Sequence, residues 1–136
     1  METIAIKQDI KVVYLTSNSF PDGVLAAHQK LHSLIPFAKN RKYFGISRPE
    51  NGVIVYRAAA EELAIGEAEQ YQCETLILKK GSYVSLTVKD YKKDISSIDS
   101  AFRELLSQPG LDPQGYCVEW YLNETDVQCM IRLSAD

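Results

Sequence analysis

Glu119 is the residue whose type and setting point most directly to chemistry. It is the only acid in the strand-like run Tyr116 to Leu122, where its neighbours are aromatic or apolar. Strand side chains alternate between two faces, so Glu119 shares its face with Cys117 and Tyr121. The other face carries an apolar set that predicts the core side of the strand: Val118, Trp120 and Leu122.

A lone carboxylate in such a setting has two interpretations. Burying an unpaired carboxylate is costly, so a Glu on an aromatic-lined sheet face usually serves a cation, a hydrogen-bond network or a reaction. The alternative is an edge-strand Glu that faces water. The strand pattern alone is compatible with both.

The composition is that of a single domain. The chain has 136 residues, of which 46% are hydrophobic and 24% charged, and a chain of this length buries a core without disulfides or metal. No apolar stretch reaches the roughly 20 residues that span a bilayer, and the first nine residues lack the order of a secretory signal. We therefore predict one cytoplasmic domain over residues 1–136, without membrane association.

Charge and cysteine usage exclude other classes. A net charge of -3 and a pI near 5.4 oppose direct nucleic-acid binding, because clustered Lys and Arg supply most affinity for phosphates. Cys73, Cys117 and Cys129 lack the spacing of a zinc site or a disulfide framework, which predicts reduced thiols. His28 and His32 are four residues apart on one predicted helix, but no third ligand accompanies them. We predict neither a metal nor a cofactor.

The first half of the chain has a β-α-β-β pattern. Residues 10–17 are rich in β-branched and aromatic types and predict a strand, and residues 24–35 carry apolar residues at helical spacing. Two further strands, 43–48 and 53–59, flank an Asn-Gly turn at residues 51–52.

The second half repeats the pattern after a connecting strand at residues 73–78. A strand at 82–88 and a helix at 95–106 precede a hairpin of two strands, 116–122 and 126–133. Five pairs are 71 residues apart, and the offset then drifts to 73 for Tyr43 and Tyr116 and to 75 for Arg57 and Arg132. The five pairs are Leu15 and Leu86, Phe20 and Tyr91, Leu31 and Phe102, Leu34 and Leu105, and Ile35 and Leu106.

This pattern indicates an internal duplication, with repeats at about residues 10–60 and 80–134. Each unit alone would leave its sheet face and helix stripe uncovered. We therefore predict an α+β fold in which two β-α-β-β units form one curved antiparallel sheet with both helices on one face.

Alternation assigns residues to the two faces. Leu15 and Leu86 belong to the helix-covered side by their apolar character, which puts Tyr14 and Tyr83 on the open side. The same logic sends Trp120 to the helix-covered core. It also places four hairpin residues on the open side: Glu119, Tyr121, Phe44 and Ile46. Tyr56 joins this aromatic groove in one hairpin register only, because a one-residue slip inverts a strand.

Short segments in both halves resemble the GyrI-like effector-binding family. They are residues 81–86, 102–106 and 115–123, together with 41–49, which is similar to the family's tyrosine-tyrosine-glycine-isoleucine strand. The resemblance covers about residues 12–133. It implies a pocket at the pseudo-twofold junction of the two units, with an acid at its base at the position of Glu119. One departure is Asp90-Tyr91, which replaces the glycine that usually follows the first pocket strand.

The resemblance implies a stand-alone module that binds a bulky, lipophilic small molecule of cationic or aromatic character. Glu119 would be the counter-ion, with Tyr83, Tyr121 and Tyr14 as ring partners and Phe44 as the floor. One alternative is a hydrolase of reactive small molecules in which Glu119 is the general base. Another is a gyrase-inhibitor-like interaction module whose partner is DNA gyrase or a regulator protein.

Overall fold

The computed structural model describes residues 1–134, which contain eight strands, three α-helices and a short 3-10 helix at Tyr91–Lys93. The strands are β1 (Glu2–Ile6), β2 (Ile10–Thr16), β3 (Tyr43–Glu50), β4 (Val53–Glu61), β5 (Glu74–Leu78), β6 (Gly81–Val88), β7 (Cys117–Tyr121) and β8 (Val127–Arg132). The helices are α1 (Val24–Leu34), α2 (Glu67–Gln70) and α3 (Ser96–Leu106). None of these helices has the length and apolar character needed to cross a bilayer.

All eight strands form one curved antiparallel sheet in the order β1-β6-β8-β7-β3-β4-β2-β5. Helix α1 packs on β2 and β4, and α3 packs on β6 and β8. Both long helices therefore lie on one face, which confirms the predicted α+β fold of two β-α-β-β units. The central strands β3 and β7 pair with each other and form the floor of a groove between the two helices.

Local sequence explains where the elements begin and end. Helix α1 ends before Pro36, because a proline disfavours helical geometry in the residue that precedes it. Asn51 and Gly52 have φ angles of 54° and 80°, the left-handed geometry that the Asn-Gly turn predicts. Strand β1 and helix α2 were not predicted. Strand β1 is added to the sheet by pairing with β6.

The strand registers test the predicted duplication. Gly45 and Glu119 form the central pair of the β3–β7 ladder, so they are equivalent positions of the two units. In the first unit Gly45 pairs with Ala58, which in turn pairs with Leu15. In the second unit Glu119 pairs with Cys129, which in turn pairs with Leu86. The 71-residue offset between Leu15 and Leu86 is therefore confirmed.

The predicted drift to 75 residues is wrong. Ala58 is equivalent to Cys129, so its neighbour Arg57 is equivalent to Gln128 and not to Arg132. The offset is 74 at Gly45 and Glu119, because the segment that leads from α3 into β7 is three residues longer than the one that leads from α1 into β3. It returns to 71 at Ala58 and Cys129, because the stretch from Glu119 to Cys129 is three residues shorter than the stretch from Gly45 to Ala58.

The face without α1 and α3 is filled by the protein's own side chains. Its buried core residues are at most 3% exposed, because the sheet curls around them. They include Val12, Phe44, Ile46, Val118 and Met130. Trp120 packs against Phe44 on this face, with ring centroids 6.2 Å apart. The predictions that this face is open and that Trp120 lies under the helices are both wrong.

Candidate functional site

Glu119 lies on the floor of the groove between α1 and α3, and two phenol groups hold its carboxylate. Tyr121 Oη donates a hydrogen bond to Glu119 Oε1 at 2.6 Å, and Tyr56 Oη donates to the same oxygen at 3.1 Å. His28 from α1 reaches Tyr56 Oη through Nε2 at 2.8 Å. We call Glu119, Tyr56, Tyr121, His28 and Gly45 the Glu119 cluster.

The Tyr56 hydroxyl connects the members of this cluster. Besides Glu119 Oε1, Tyr56 Oη lies 2.8 Å from His28 Nε2 and 3.3 Å from Tyr121 Oη. The hydroxyl has one proton, so the tautomer of His28 decides whether the imidazole donates to Tyr56 or accepts from it. The described residues give the other carboxylate oxygen, Oε2, no hydrogen bond. That oxygen retains its capacity to meet a ligand.

Burial dominates the electrostatics of the cluster. Glu119 keeps a small exposed fraction, although protein atoms surround its carboxylate on nearly all sides. Desolvation raises the pKa of Glu119, and the hydrogen bonds from Tyr121 and Tyr56 oppose this shift. Desolvation also lowers the pKa of His28 to about 4, so the imidazole is neutral at physiological pH and contributes no positive charge.

Glu119 differs from the other shielded acids of the chain in having no cation. Glu67 is paired with Arg41 at 3.0 Å, and Asp112 with Arg132 at 3.1 Å. Within residues 1–134, no Lys or Arg nitrogen lies within 4.0 Å of Glu119. A carboxylate that is desolvated but lacks a counter-ion favours an external cation.

Gly45 provides the space in which the cluster assembles. A Cβ atom at this position would lie 2.0 Å from Tyr56 Oη and 2.9 Å from Glu119 Oε1. Any side chain here would displace both groups. The glycine is therefore required by close approach and not by an unusual backbone angle.

Two further rings border the cluster, one from each unit. Phe20 stacks on Tyr56 with centroids 5.9 Å apart and an interplanar angle of 21°. Tyr91 lies against Tyr121 at 5.7 Å. Together with His28, which meets Tyr121 edge-on at 5.3 Å, they make the surroundings of the carboxylate aromatic.

The structure brings together three of the seven predicted site residues. Glu119, Tyr121 and Tyr56 meet on the helix-covered face. The predicted placement of Glu119 and Tyr121 on the opposite face is wrong, because the apolar pair Val118 and Trp120 faces the other core of the curved sheet.

The other four predicted residues lie on the far side of the sheet. Phe44 and Ile46 are completely buried there. Tyr83 Oη donates to the backbone oxygen of Lys79 at 2.6 Å, and the Arg57 guanidinium lies over the Tyr14 ring at 5.2 Å. These residues keep their predicted face but do not share a site with Glu119.

Sequence reasoning did not assign His28, Gly45, Phe20 and Tyr91 to the site. A signal existed for two of them, since Phe20 and Tyr91 are one of the pairs separated by 71 residues. A matched aromatic pair just ahead of each helix points to the groove between the helices. Gly45 and His28 gave no comparable signal.

The hollows on the surface of residues 1–134 include a small and a larger one. A small one of about 40 Å³ lies near Tyr83 on the far face, with room for little more than one water molecule. The larger measures about 470 Å³ and lies between the loop before α1 and the β3–β4 hairpin. Phe20 lines the larger hollow and also stacks on Tyr56.

Comparison with solved structures identifies proteins of the same fold. An integron cassette protein from the mobile metagenome of Vibrio cholerae aligns with a TM-score of 0.69 at 11% identity, over 97% of this chain and 94% of that one. The protein SAV2435 bound to tetraphenylphosphonium aligns with a TM-score of 0.57 at 12% identity, over 96% and 93%. A hydrolase from Listeria innocua aligns with a TM-score of 0.56 at 8% identity, over 98% and 90%.

At these identities the likeness concerns the fold. No protein-family model matches the chain. No curated protein matches it either.

Proposed function

We propose that this protein is an effector-binding module of the GyrI-like kind and that it binds a bulky cationic aromatic molecule at the Glu119 cluster. The observation that carries the proposal is the unpaired, desolvated carboxylate of Glu119, ringed by Tyr56, Tyr121 and Tyr91. A cation over tyrosine faces gains roughly 0.5–2 kcal/mol per contact, and more where water is excluded.

The comparisons support this ligand class. SAV2435, which shares the fold over nearly its full length, is described as bound to tetraphenylphosphonium, a bulky lipophilic cation. The GyrI-like resemblance of residues 41–49 and 115–123 includes both Gly45 and Glu119. Binding at the cluster requires some of the rings to move, since the carboxylate is covered on nearly all sides.

The test is titration with tetraphenylphosphonium by isothermal calorimetry, comparing wild type with Glu119→Gln. Loss of the counter-ion should weaken binding about 10- to 100-fold, which corresponds to roughly 1.4–2.8 kcal/mol. Glu124→Gln is the matched control, since this exposed acid in the β7–β8 turn undergoes the same charge change. Equal affinity of wild type and Glu119→Gln would remove the counter-ion role.

Hydrolysis of a strained electrophile is the second candidate, and it is favoured by the free Oε2 oxygen of Glu119. A carboxylate with a raised pKa is a better general base. Glu119 would take a proton from water, the resulting hydroxide would open an epoxide carbon–oxygen bond, and the alkoxide would recover the proton. Diol formation from styrene oxide tests this, and turnover that persists in Glu119→Gln would exclude Glu119 as the base.

A further inference from the structure

The 470 Å³ hollow falls within the size of small-molecule sites, which occupy roughly 300–1,000 Å³. Its lining combines two kinds of surface. One wall is polar and comes from the loop that precedes α1, and the other is apolar and comes from the start of β4. The lining residues that the argument uses are Ser17, Ser19, Phe20, Val53 and Ile54.

The hollow adjoins the Glu119 cluster through one side chain. Residues 53–55, which line it, immediately precede Tyr56 in β4, and Ser17 N donates to the Tyr56 backbone oxygen at 2.8 Å. Phe20 both lines the hollow and stacks on Tyr56. The phenol of Tyr56 then leads directly to Glu119 Oε1.

Three apolar side chains of the lining are exposed. Phe20 is 44% exposed, Val53 66% and Ile54 45%. Water is a poor solvent for such a wall, and an apolar ligand group would cover it favourably. The hydroxyl-bearing wall opposite, formed by Ser17 and Ser19, does not carry charge. The hollow therefore suits a neutral aromatic or amphipathic group.

We propose that this hollow is the outer subsite for the ligand of the Glu119 cluster and that Phe20 is the side chain a ligand displaces to pass from one to the other. The proposal rests on the proposed function. The cationic centre of the ligand binds beside Glu119, and a neutral arm remains in the hollow against Val53 and Ile54. Phe20 thereby selects for ligands large enough to occupy both.

Phe20→Ala tests the displacement step. In stopped-flow anisotropy with rhodamine 6G, a bulky cation, the variant should associate several-fold faster than wild type, because no ring has to leave Tyr56. Phe37→Ala is the matched control: Phe37 is also exposed and also stacks on a tyrosine, Tyr43, at 5.8 Å, but does not line the hollow. Equal association rates of wild type and Phe20→Ala would overturn the displacement role.

Ser19→Trp tests the subsite by filling it. The Ser19 side chain is exposed and makes no hydrogen bond among the described residues. The variant should bind rhodamine 6G at least 10-fold more weakly but retain wild-type affinity for the small cation benzyltrimethylammonium, which needs only the cluster. Ser100→Trp, on the exposed side of α3, is the control and should change neither affinity.

The outcomes separate this inference from the proposed function. If Ser19→Trp leaves rhodamine 6G binding unchanged while Glu119→Gln weakens it, the outer subsite is refuted and the counter-ion role stands. If neither wild type nor any variant binds either cation, the outer subsite and the proposed function are both refuted.

Discussion

Gly45→Ala should disrupt the Glu119 cluster from beneath. The added Cβ would lie 2.0 Å from Tyr56 Oη, and ordinary contact begins at 3.4 Å. The hydroxyl must therefore retreat by about 1.4 Å, because the backbone of β3 is fixed by its ladders to β4 and β7. A retreat of this size breaks the bonds of Tyr56 to Glu119 and His28, which measure 3.1 and 2.8 Å.

The expected loss in the free energy of unfolding follows from overpacking and from the broken hydrogen bonds. Overpacking a dense site costs roughly 1–3 kcal/mol, and a hydrogen bond to a charged group contributes about 1.5–3 kcal/mol. Relaxation makes these costs overlap, so we expect the free energy of unfolding to fall by about 3 kcal/mol. A domain with an ordinary stability of about 5–15 kcal/mol remains folded after this loss.

Urea denaturation in a double-mutant cycle with Tyr56→Phe provides the measurement. Removing the hydroxyl leaves Tyr56 Cζ, 2.7 Å from the added Cβ, so relief is partial and Gly45→Ala should cost about 1–2 kcal/mol less in the Phe background. Gly52→Ala is the control. It has a φ of +80° but no neighbouring atom within 4 Å, so its cost of about 1–2 kcal/mol should be the same in both backgrounds.

A cost below 1 kcal/mol for Gly45→Ala would show that the strand yields easily. An identical cost with and without the Tyr56 hydroxyl would show that the close approach does not hold the cluster.

Further predictions concern charge. Cation affinity should fall as the pH is lowered through the raised pKa of Glu119, in a window above the ordinary value of 4.5, and titration of Glu119→Gln should show no such step. Tyr121→Phe removes the 2.6 Å bond that lowers this pKa and should move the window to higher pH; a shift to lower pH would contradict our account. Because folding raises the pKa of Glu119, its contribution to the free energy of unfolding should decrease as pH rises through the same window. Arg41→Met should lower the free energy of unfolding in urea by about 3 kcal/mol, because it leaves the shielded Glu67 carboxylate without its cation. Arg103→Met, which breaks an exposed ion pair, should lower it by about 0.5 kcal/mol or less. The Arg41 effect should shrink as pH falls from 4.5 towards the lowered Glu67 pKa of about 2, and a pH-independent effect would argue against the ion pair.

The sequence predicts the fold because local signals and the duplication agree. Residues 24–35 carry helical spacing and α1 spans Val24–Leu34, while the Asn-Gly turn at residues 51–52 joins β3 to β4 as expected. Strand β1 was missed because Glu2–Ile6 is short and lies at an edge, where pairing with β6 decides its structure.

The site was harder to predict because this sheet has two buried faces. Alternation in β7 correctly groups Glu119 with Cys117 and Tyr121, but an apolar Val118 and Trp120 on the other face do not reveal which face the helices cover. The curl of the sheet buries Phe44 and Met130 without a helix. Curvature of this kind is a property of all eight strands together and leaves no mark in one strand.

The unequal residues at equivalent positions explain how a duplicated fold makes one site. Gly45 and Glu119 face each other across β3 and β7 at the centre of the pseudo-twofold relation. Glu at both positions would put two acids on paired residues, whose Cα atoms lie about 5 Å apart, and like charges in this desolvated groove would keep one of them protonated. Glycine on one strand removes that repulsion and admits the Tyr56 hydroxyl. The first unit thus supplies space and a donor, and the second supplies the charge.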